Sequence, residues 1–482
     1  MKISIYNFKG INELIDFDLN KITVLSGANS CGKSSLIQFL LLFKQSFEFG
    51  TIDQILIINK PYVSLGTYRQ ITHNNLESNV FKVKFKLTAN EVLNYQNIFR
   101  ISFNRIFSEL DLPLFNGCEL NLNFHYSNAS SKIYIDLFKI DYIFGEKRLW
   151  FSAQRKRTRY LINTNSLAFY GTEYLLLKKR KISIIDFDSV VNEKDLNINF
   201  IGLFPISFIE NSEEVERPST LIKHIQNILQ SFFDSIQYIG PLREEPKSYY
   251  VNEDDTILQL GNKGQNSAHI LARNSEKPCL YYRMNKATAL LKETNSTLKD
   301  AVKYWLCDVF KMAKNISIDK KNYNSFYVIN IVNENSTVIP ITHVGFGISQ
   351  VLPIIVAGLA LEKNGILILE QPEIHLHPKV QSLLFDFLHS LIRAGKTVLV
   401  ETHSDHFITR LRRRIVEDES NYLAKNTGLY FVHKENNNIV YEKLTINELG
   451  NMGYWPEDFF DQRDQDLKAI IKAQSIKKLM NK

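Results

Sequence analysis

Four cysteines in 482 residues (Cys31, Cys118, Cys279 and Cys307) lie far apart, with no C-x-x-C pair. That spacing excludes a disulfide framework and a zinc ribbon, and it fits a reducing cytoplasm. Long apolar runs are missing too. The longest, such as Leu352 to Leu361, cover about half a membrane span. The opening MKISIYNFKG alternates like a strand and has no apolar core of signal-peptide length. No internal repeat, sustained heptad, Pro- or Gly-rich linker or low-complexity tract is visible. The chain is therefore expected to be cytoplasmic, without a membrane segment and with soft domain boundaries.

What is present points to a large folded protein. The chain is 44% hydrophobic and 12% aromatic, which excludes general disorder and suffices for one large domain or two to three ordinary ones. Fifty-eight Lys and Arg against 51 Asp and Glu leave a net charge of +7. At this length the excess permits nucleic-acid binding without requiring it.

The pattern of the first residues predicts a hairpin turning near Lys9-Gly10, then a short strand over Lys21 to Ser26 and an apolar helix over Leu36 to Phe49. From Val80 to Glu210 the segments VFKVKFKL, CELNLNFHY, SKIYIDLF and KISIIDF alternate at period two, predicting antiparallel strands. A helical stripe follows over Arg217 to Gln237 (Leu221, Ile222, Ile225, Ile228, Leu229, Phe232), then a strand, IQYIGPLRE. A further amphipathic helix is expected over Thr288 to Lys314. The last third alternates strand and helix, the signature of a parallel sheet.

The strongest motif is Gly27-Ala28-Asn29-Ser30-Cys31-Gly32-Lys33-Ser34, which fits G-x-x-x-x-G-K-[ST] between a strand and a helix. Its glycines let backbone N–H groups turn inward around phosphates, and the helix start adds its positive dipole end. Gly27, Asn29, Ser30, Gly32, Lys33, Ser34 and Ser35 are the expected nucleotide contacts. Lys33 reaches the β- and γ-phosphates, and the Ser34 hydroxyl holds Mg²⁺. Four aliphatic residues, Ile366 to Leu369, form a buried strand ending in Glu370, a carboxylate placed to support the Mg²⁺ shell. TVLVETHSD is a second such strand, and His403 at its end is placed to meet the γ-phosphate. Gly345, Gly347, Ser349 and Gln350 open another helix and form a second anion site, useful if it binds the γ-phosphate held by another copy.

In this order the motifs resemble the ABC-type ATPase heads of the SMC, Rad50 and RecF group, as does the hairpin Ile5 to Gly10. The resemblance implies an α/β fold. It would be an ABC-type head of the P-loop NTPase class, with a mixed sheet and a β-rich and helical insertion between Walker A and signature. It also implies that two copies sandwich two ATPs, with Gly345 to Gln350 as signature, Glu370 as Walker B acid and His403 as switch histidine. The implied organisation is residues 1–77 as the N-terminal part of the head, 78–235 as insertion, 236–335 as return strand and helical subdomain, and 336–482 as the C-terminal part. More narrowly, EQPEIHLHP, YIGPLREEP, GNKGQNS and the tail GNMGYWPEDFFD resemble bacterial ATPases with a DUF3696-type C-terminal region, similar to the Septu anti-phage ATPase subunit. This implies a homodimer or higher oligomer that controls a separate nuclease of HNH type. One departure concerns turnover. The position after the Walker B acid, usually glutamate, is Gln371, which orients a water but cannot take its proton. Glu373 is the nearby alternative base, and slow turnover is expected.

Weaker signals remain. Gln70 is a candidate Q-loop ligand to Mg²⁺. Glu373, His375 and His377 alternate like metal ligands but lack a further partner. Arg155 to Arg159 with Phe151 and Tyr160, Lys178 to Lys181, and Arg410 with Arg412 to Arg414 are candidates for DNA or RNA. The tail Trp455 to Phe460 is read as a cap on the sheet, and the basic LKAIIKAQSIKKLM as a helix for a partner or for the core. The competing functions are a RecF-like DNA-repair ATPase and a scaffold that holds ATP without turnover.

Overall fold

The computed structural model describes residues 1–59, 61–93, 114–165, 192–210, 213–251, 260–284, 291–321, 326–333, 335–454, 456 and 462–480. Within it the chain forms two units and passes between them more than once. The first comprises Met1–Leu19, Ser35–Ser235 and Glu435–Val440. The second comprises Asn20–Ser34, Ile236–Lys434 and Tyr441–Lys482.

The first unit is built on a ten-stranded antiparallel sheet. From one edge its strands run Glu213–Glu216, Phe204–Glu210, Asn192–Ile201, Arg159–Thr164, Lys147–Lys156, Lys132–Phe144, Phe115–Ser127 and Phe81–Thr88, and the opening hairpin, Lys2–Phe8 and Ile11–Asp18, completes it. The alternation seen in the sequence is the cause. Phe81, Val83, Phe85 and Leu87 are buried on one face, while Lys82, Lys84 and Lys86 point the other way. Helix α1 (Lys33–Phe49) brings Phe43 onto that face, 5.4 Å from Phe85, 6.1 Å from Phe124 and 5.9 Å from Phe233. Phe233 comes from the helix Thr220–Asp234, whose N-terminus is capped by Ser219 Oγ accepting from the Leu221 N–H. Phe233, rather than the expected Phe232, completes its buried stripe. KISIIDF lies outside the described residues.

The second unit centres on a six-stranded sheet of β1 (Ile22–Ser26), β2 (Ile236–Ile239), β3 (Ile366–Glu370), β4 (Thr397–Glu401), β5 (Thr427–Glu435) and β6 (Asn438–Leu444), in the order β2-β3-β4-β1-β5-β6. The first five strands pair in parallel. Strands buried on both faces read as continuous aliphatic runs, and ITVLS, ILIL and VLV are such runs. Helices α2 (Phe346–Ala360), α3 (Pro378–Arg393) and α4 (Asp405–Glu417) alternate with these strands, as the sequence pattern predicts. A small sheet of Phe326–Val332 with Asn315–Lys321, Val338–Pro340 and Tyr250–Val251 completes the unit, together with the hairpin Pro278–Met284 and Leu291–Thr297. The fold is thus α/β with mixed sheets.

That hairpin corrects one expectation. The helix expected from Thr288 onward is absent over Leu291–Thr297, a strand paired residue for residue with 278–284. Helical structure starts only at Leu298, where the Thr297 hydroxyl accepts from the Asp300 N–H. Leu291 sits in the strand, Leu298, Val302, Trp305 and Leu306 sit in the helix and its π-turn, and position 290 lies outside the described residues. Two short stripes were thus merged into one period. Among the described residues no helix is long and apolar enough to cross a membrane.

Candidate functional site

The site assembles where strands β1, β3 and β4 end, all within the second unit. Strand β1 is buried throughout and delivers the loop 27–32 to the start of helix α1. The loop needs residues that tolerate positive φ: Gly27 sits at +148° and Gly32 at +104°, with Ser30 at +59°. At Gly27 a side chain is also excluded sterically, because a Cβ would stand 2.1 Å from the Val432 carbonyl oxygen. Asn29 and Ser30 are exposed, whereas Lys33 and Ser35 are buried. The Lys33 ammonium folds back over the loop and donates to the carbonyls of Gly27 (3.1 Å) and Ala28 (2.6 Å). Cys31, a position the motif leaves open, is buried with its sulfur 3.9 Å from the same ammonium.

The Ser34 hydroxyl donates to Glu401 Oε2 at 2.8 Å. Glu401 is a site residue the sequence reading passed over, though its position at the end of the run TVLV repeats the position of Glu370 after ILIL. The two glutamates are register partners on adjacent strands. Glu370 Oε1 accepts from Tyr238 Oη (3.0 Å) rather than from Ser34. Burial, and then the neighbouring Glu401, push the Glu370 carboxyl up to about 7. Burial raises Glu401 as well, opposed by the Ser34 bond and Lys33.

Gln371 adopts a left-handed backbone (φ +43°), and its N–H donates to the Glu401 carbonyl at 2.8 Å. Such a conformation is unfavourable for a residue with a Cβ and marks a turn held by its surroundings. Two residues on, Glu373 is buried, and its Oε1 accepts from the His403 backbone N–H at 2.6 Å. The structure thereby joins Glu373 to the strand end bearing His403. Burial, and then Lys33, lower the pKa of the His403 imidazole.

A second residue missed from sequence is Arg243. It is 6% exposed; its guanidinium donates to the Glu370 carbonyl (3.2 Å) and faces Gln350 Oε1 at 3.5 Å, while Nε is buried without a hydrogen-bond partner. Burial pulls it down to about 10, against the opposing pull of Glu373. Its segment, YIGPLREEP, lies against GNKGQNS: Gly240 N–H donates to Asn262 O (2.8 Å) and Glu244 N–H to Lys263 O (3.0 Å). Two motifs that carry the sequence resemblance are therefore neighbours.

At the head of helix α2, Gly345 is exposed with open space around it, while Ser349 and Gln350 are buried. Gln70 belongs to the first unit, where its Oε1 accepts from the Thr67 N–H at 2.8 Å. His377 caps helix α3, its Nδ1 accepting from the Lys379 N–H. Among the described residues no group of His, Cys, Asp and Glu forms a metal cluster, so the alternation at 373–377 serves the turn and the cap.

Parts of two basic runs are engaged within the fold. Arg155 lies over the Tyr134 ring at 3.4 Å, Arg159 pairs with Asp195 at 3.7 Å, and Arg157 turns the hairpin with φ +56°. The aromatic flanks expected to stack on bases, Phe151 and Tyr160, are instead buried, because both fall on the inward side of the sheet. On helix α4, Arg410 and Arg414 pair with Asp386, and Arg413 with Glu417. Lys178 to Lys181 and most of the tail motif, residues 455 and 457–461, lie outside the described residues.

The donor set fits a nucleoside triphosphate with a divalent cation. The first turn of helix α1 carries no acidic residue, and the leading N–H groups of a helix favour an anion. Beside it stand a lysine ammonium, a hydroxyl and two carboxylates, one buried and one half-buried, whose charge protein groups only partly offset.

Residues 1–408 match the family model described as the AAA ATPase domain. Residues 424–470 match that of a protein of unknown function, DUF3696. No curated protein matches the chain significantly. Among solved structures the chain is similar to an SMC head bound to the C-winged-helix domain of ScpA (10% identity, 93% of this chain and 98% of that one, TM-score 0.37). It is also similar to the SMC head domain from Thermotoga maritima (9%, 92% and 97%, TM-score 0.36). A third is an Smc head with an extended coiled coil bound to the C-terminal domain of ScpA derived from Pyrococcus furiosus (10%, 100% and 99%, TM-score 0.38).

Proposed function

Since the chain belongs to the AAA ATPase domain family, we propose that it is a Mg²⁺-dependent, slowly hydrolysing ATPase subunit of a bacterial anti-phage defence complex. It pairs with a second copy across ATP and controls a separate nuclease of HNH type. The observation that carries the catalytic part is the convergence of Lys33, Ser34, Glu370 and Glu401 at the ends of adjacent strands. When bound, the nucleotide supplies the scissile phosphoanhydride and Mg²⁺ the charge that offsets it. In this reading Lys33 leaves the Gly27 and Ala28 carbonyls for phosphate oxygens, and Ser34 orients toward the metal with Glu401 behind it.

Glu373 is the group placed to take the proton of an attacking water. It is a carboxylate held by the His403 N–H, whereas Gln371 has none to offer. The defence role and the nuclease partner are supported by the resemblance of EQPEIHLHP, YIGPLREEP and the tail, and by the DUF3696 match over 424–470. Residues 78–235 then act as an insertion between the phosphate loop and the signature turn.

A second reading, ATP held without turnover as the glue of an oligomer, draws on Gln371. The test is phosphate release from ATP and Mg²⁺ by the purified protein beside Lys33→Ala. Slow release that Lys33→Ala abolishes, with nucleotide-dependent dimerisation by light scattering, is the expected outcome. Binding without release supports the scaffold, and absence of both binding and release refutes the ATPase reading.

A further inference from the structure

The two glycines that define the phosphate loop both rest on residues 427–444, inside the segment matched to a protein of unknown function. Strand β5 runs parallel to β1, with Phe431 opposite Ser26, so Val432 comes abreast of Gly27. There a Cβ on Gly27 would stand 2.1 Å from the Val432 carbonyl oxygen. At the other end of the loop, Tyr441 on β6 donates its hydroxyl to the Gly32 carbonyl at 3.0 Å.

The second contact has a stereochemical consequence. In a planar trans peptide the C=O and the following N–H point to opposite sides. Holding the Gly32 oxygen toward Tyr441 therefore turns the Lys33 N–H away from it. That N–H is among the first donors of helix α1, which have no partner within the helix. The Gly32 carbonyl stands at the helix start, where it also takes the first intrahelical bond, so the Tyr441 hydroxyl is a second tether on the same oxygen, after a residue whose ψ no Cβ restricts.

We infer that the segment of unknown function forms the outer jaw of the nucleotide site, and that Tyr441 is a positioning residue that aims the Lys33 amide at the bound phosphates. The inference rests on the ATPase reading above and assigns part of that site to a region outside the ATPase match, which stops at residue 408.

The test is titration of fluorescent ADP into the wild type, Lys33→Ala, Tyr441→Phe and, as control, Tyr422→Phe, whose hydroxyl serves the distant Ile392 carbonyl. Loss of one hydrogen bond should weaken binding about three- to tenfold in Tyr441→Phe, with the melting temperature nearly kept. Tyr422→Phe should bind like the wild type. Amide exchange should accelerate in the 27–36 peptide of Tyr441→Phe and stay unchanged over 366–370.

Unaltered affinity and exchange in folded Tyr441→Phe, alongside a wild type that binds, overturn the inference and leave the ATPase reading standing. A folded wild type that binds no nucleotide defeats the ATPase reading itself, and the inference falls with it. Should Tyr441→Phe fail to fold, the wild type decides. ADP must slow exchange across 438–444 as well as in the loop, and an indifferent 438–444 overturns the inference.

Discussion

Glu370, Glu373 and Glu401 crowd three carboxylates, two of them buried, into one corner, where Lys33 and Arg243 oppose them. Each has a fixed partner: Tyr238 for Glu370, the His403 amide for Glu373, Ser34 for Glu401. Each bond holds its carboxylate toward a different neighbour, so the three like charges are kept in separate orientations. A different kind of buried group sits in the first unit. His224 is 3% exposed, its Nε2 donates to the Val92 carbonyl, and burial lowers its pKa to about 4. Above pH 6.5 the imidazole is neutral whether the chain is folded or not. As the pH falls toward 4, the unfolded chain gains a proton that the folded one refuses, and stability declines. Between pH 7 and pH 5 urea denaturation should register a loss of roughly 2 kcal/mol from this group, absent in His224→Gln.

At the scale of elements, helices α3 and α4 are clamped by charge rather than by apolar contact alone. Asp386 is fully buried and receives Arg414 through Nε (2.6 Å) and Nη2 (3.0 Å), with Arg410 at 3.1 Å. Removing the carboxylate leaves Arg414, itself 5% exposed, without its buried counter-charge. Asp386→Ala should cost about 3–5 kcal/mol in urea denaturation. The phosphate loop, the acidic strand, the histidine strand and the antiparallel meander are all legible in sequence, because each has a period or a fixed spacing. Glu401 escaped because the reading of TVLVETHSD stopped at its histidine. Arg243 and Tyr441 escaped for a different reason: each meets its partner more than 100 residues away, and no local pattern records such a meeting. The hairpin strand Leu291–Thr297 was misread because apolar residues on either side of a turn can imitate one helical stripe.

At the scale of the molecule, the central sheet depends on a strand from the far end of the chain. Strand β1 lies between β4 and β5, pairing Val24 with Val400 on one side and with Leu429 on the other. A fragment of residues 236–482 holds every other strand of that sheet and lacks this one. Expressed alone it should aggregate or show no cooperative melt by circular dichroism, and appending residues 20–34 should improve its solubility. A cooperative melt of the bare fragment would show that β4 and β5 can close the gap without it.

The same placement bears on how the protein is made. On the ribosome, β1 emerges long before its first neighbour, β4, which follows about 370 residues later. At roughly 5–20 residues per second, that leaves an aliphatic strand with both edges open for on the order of 20–70 s. Throughout that interval the ITVLS segment is a natural client for a holding chaperone. The candidate site, which needs β1, β3 and β4 together, can form only once β4 has emerged.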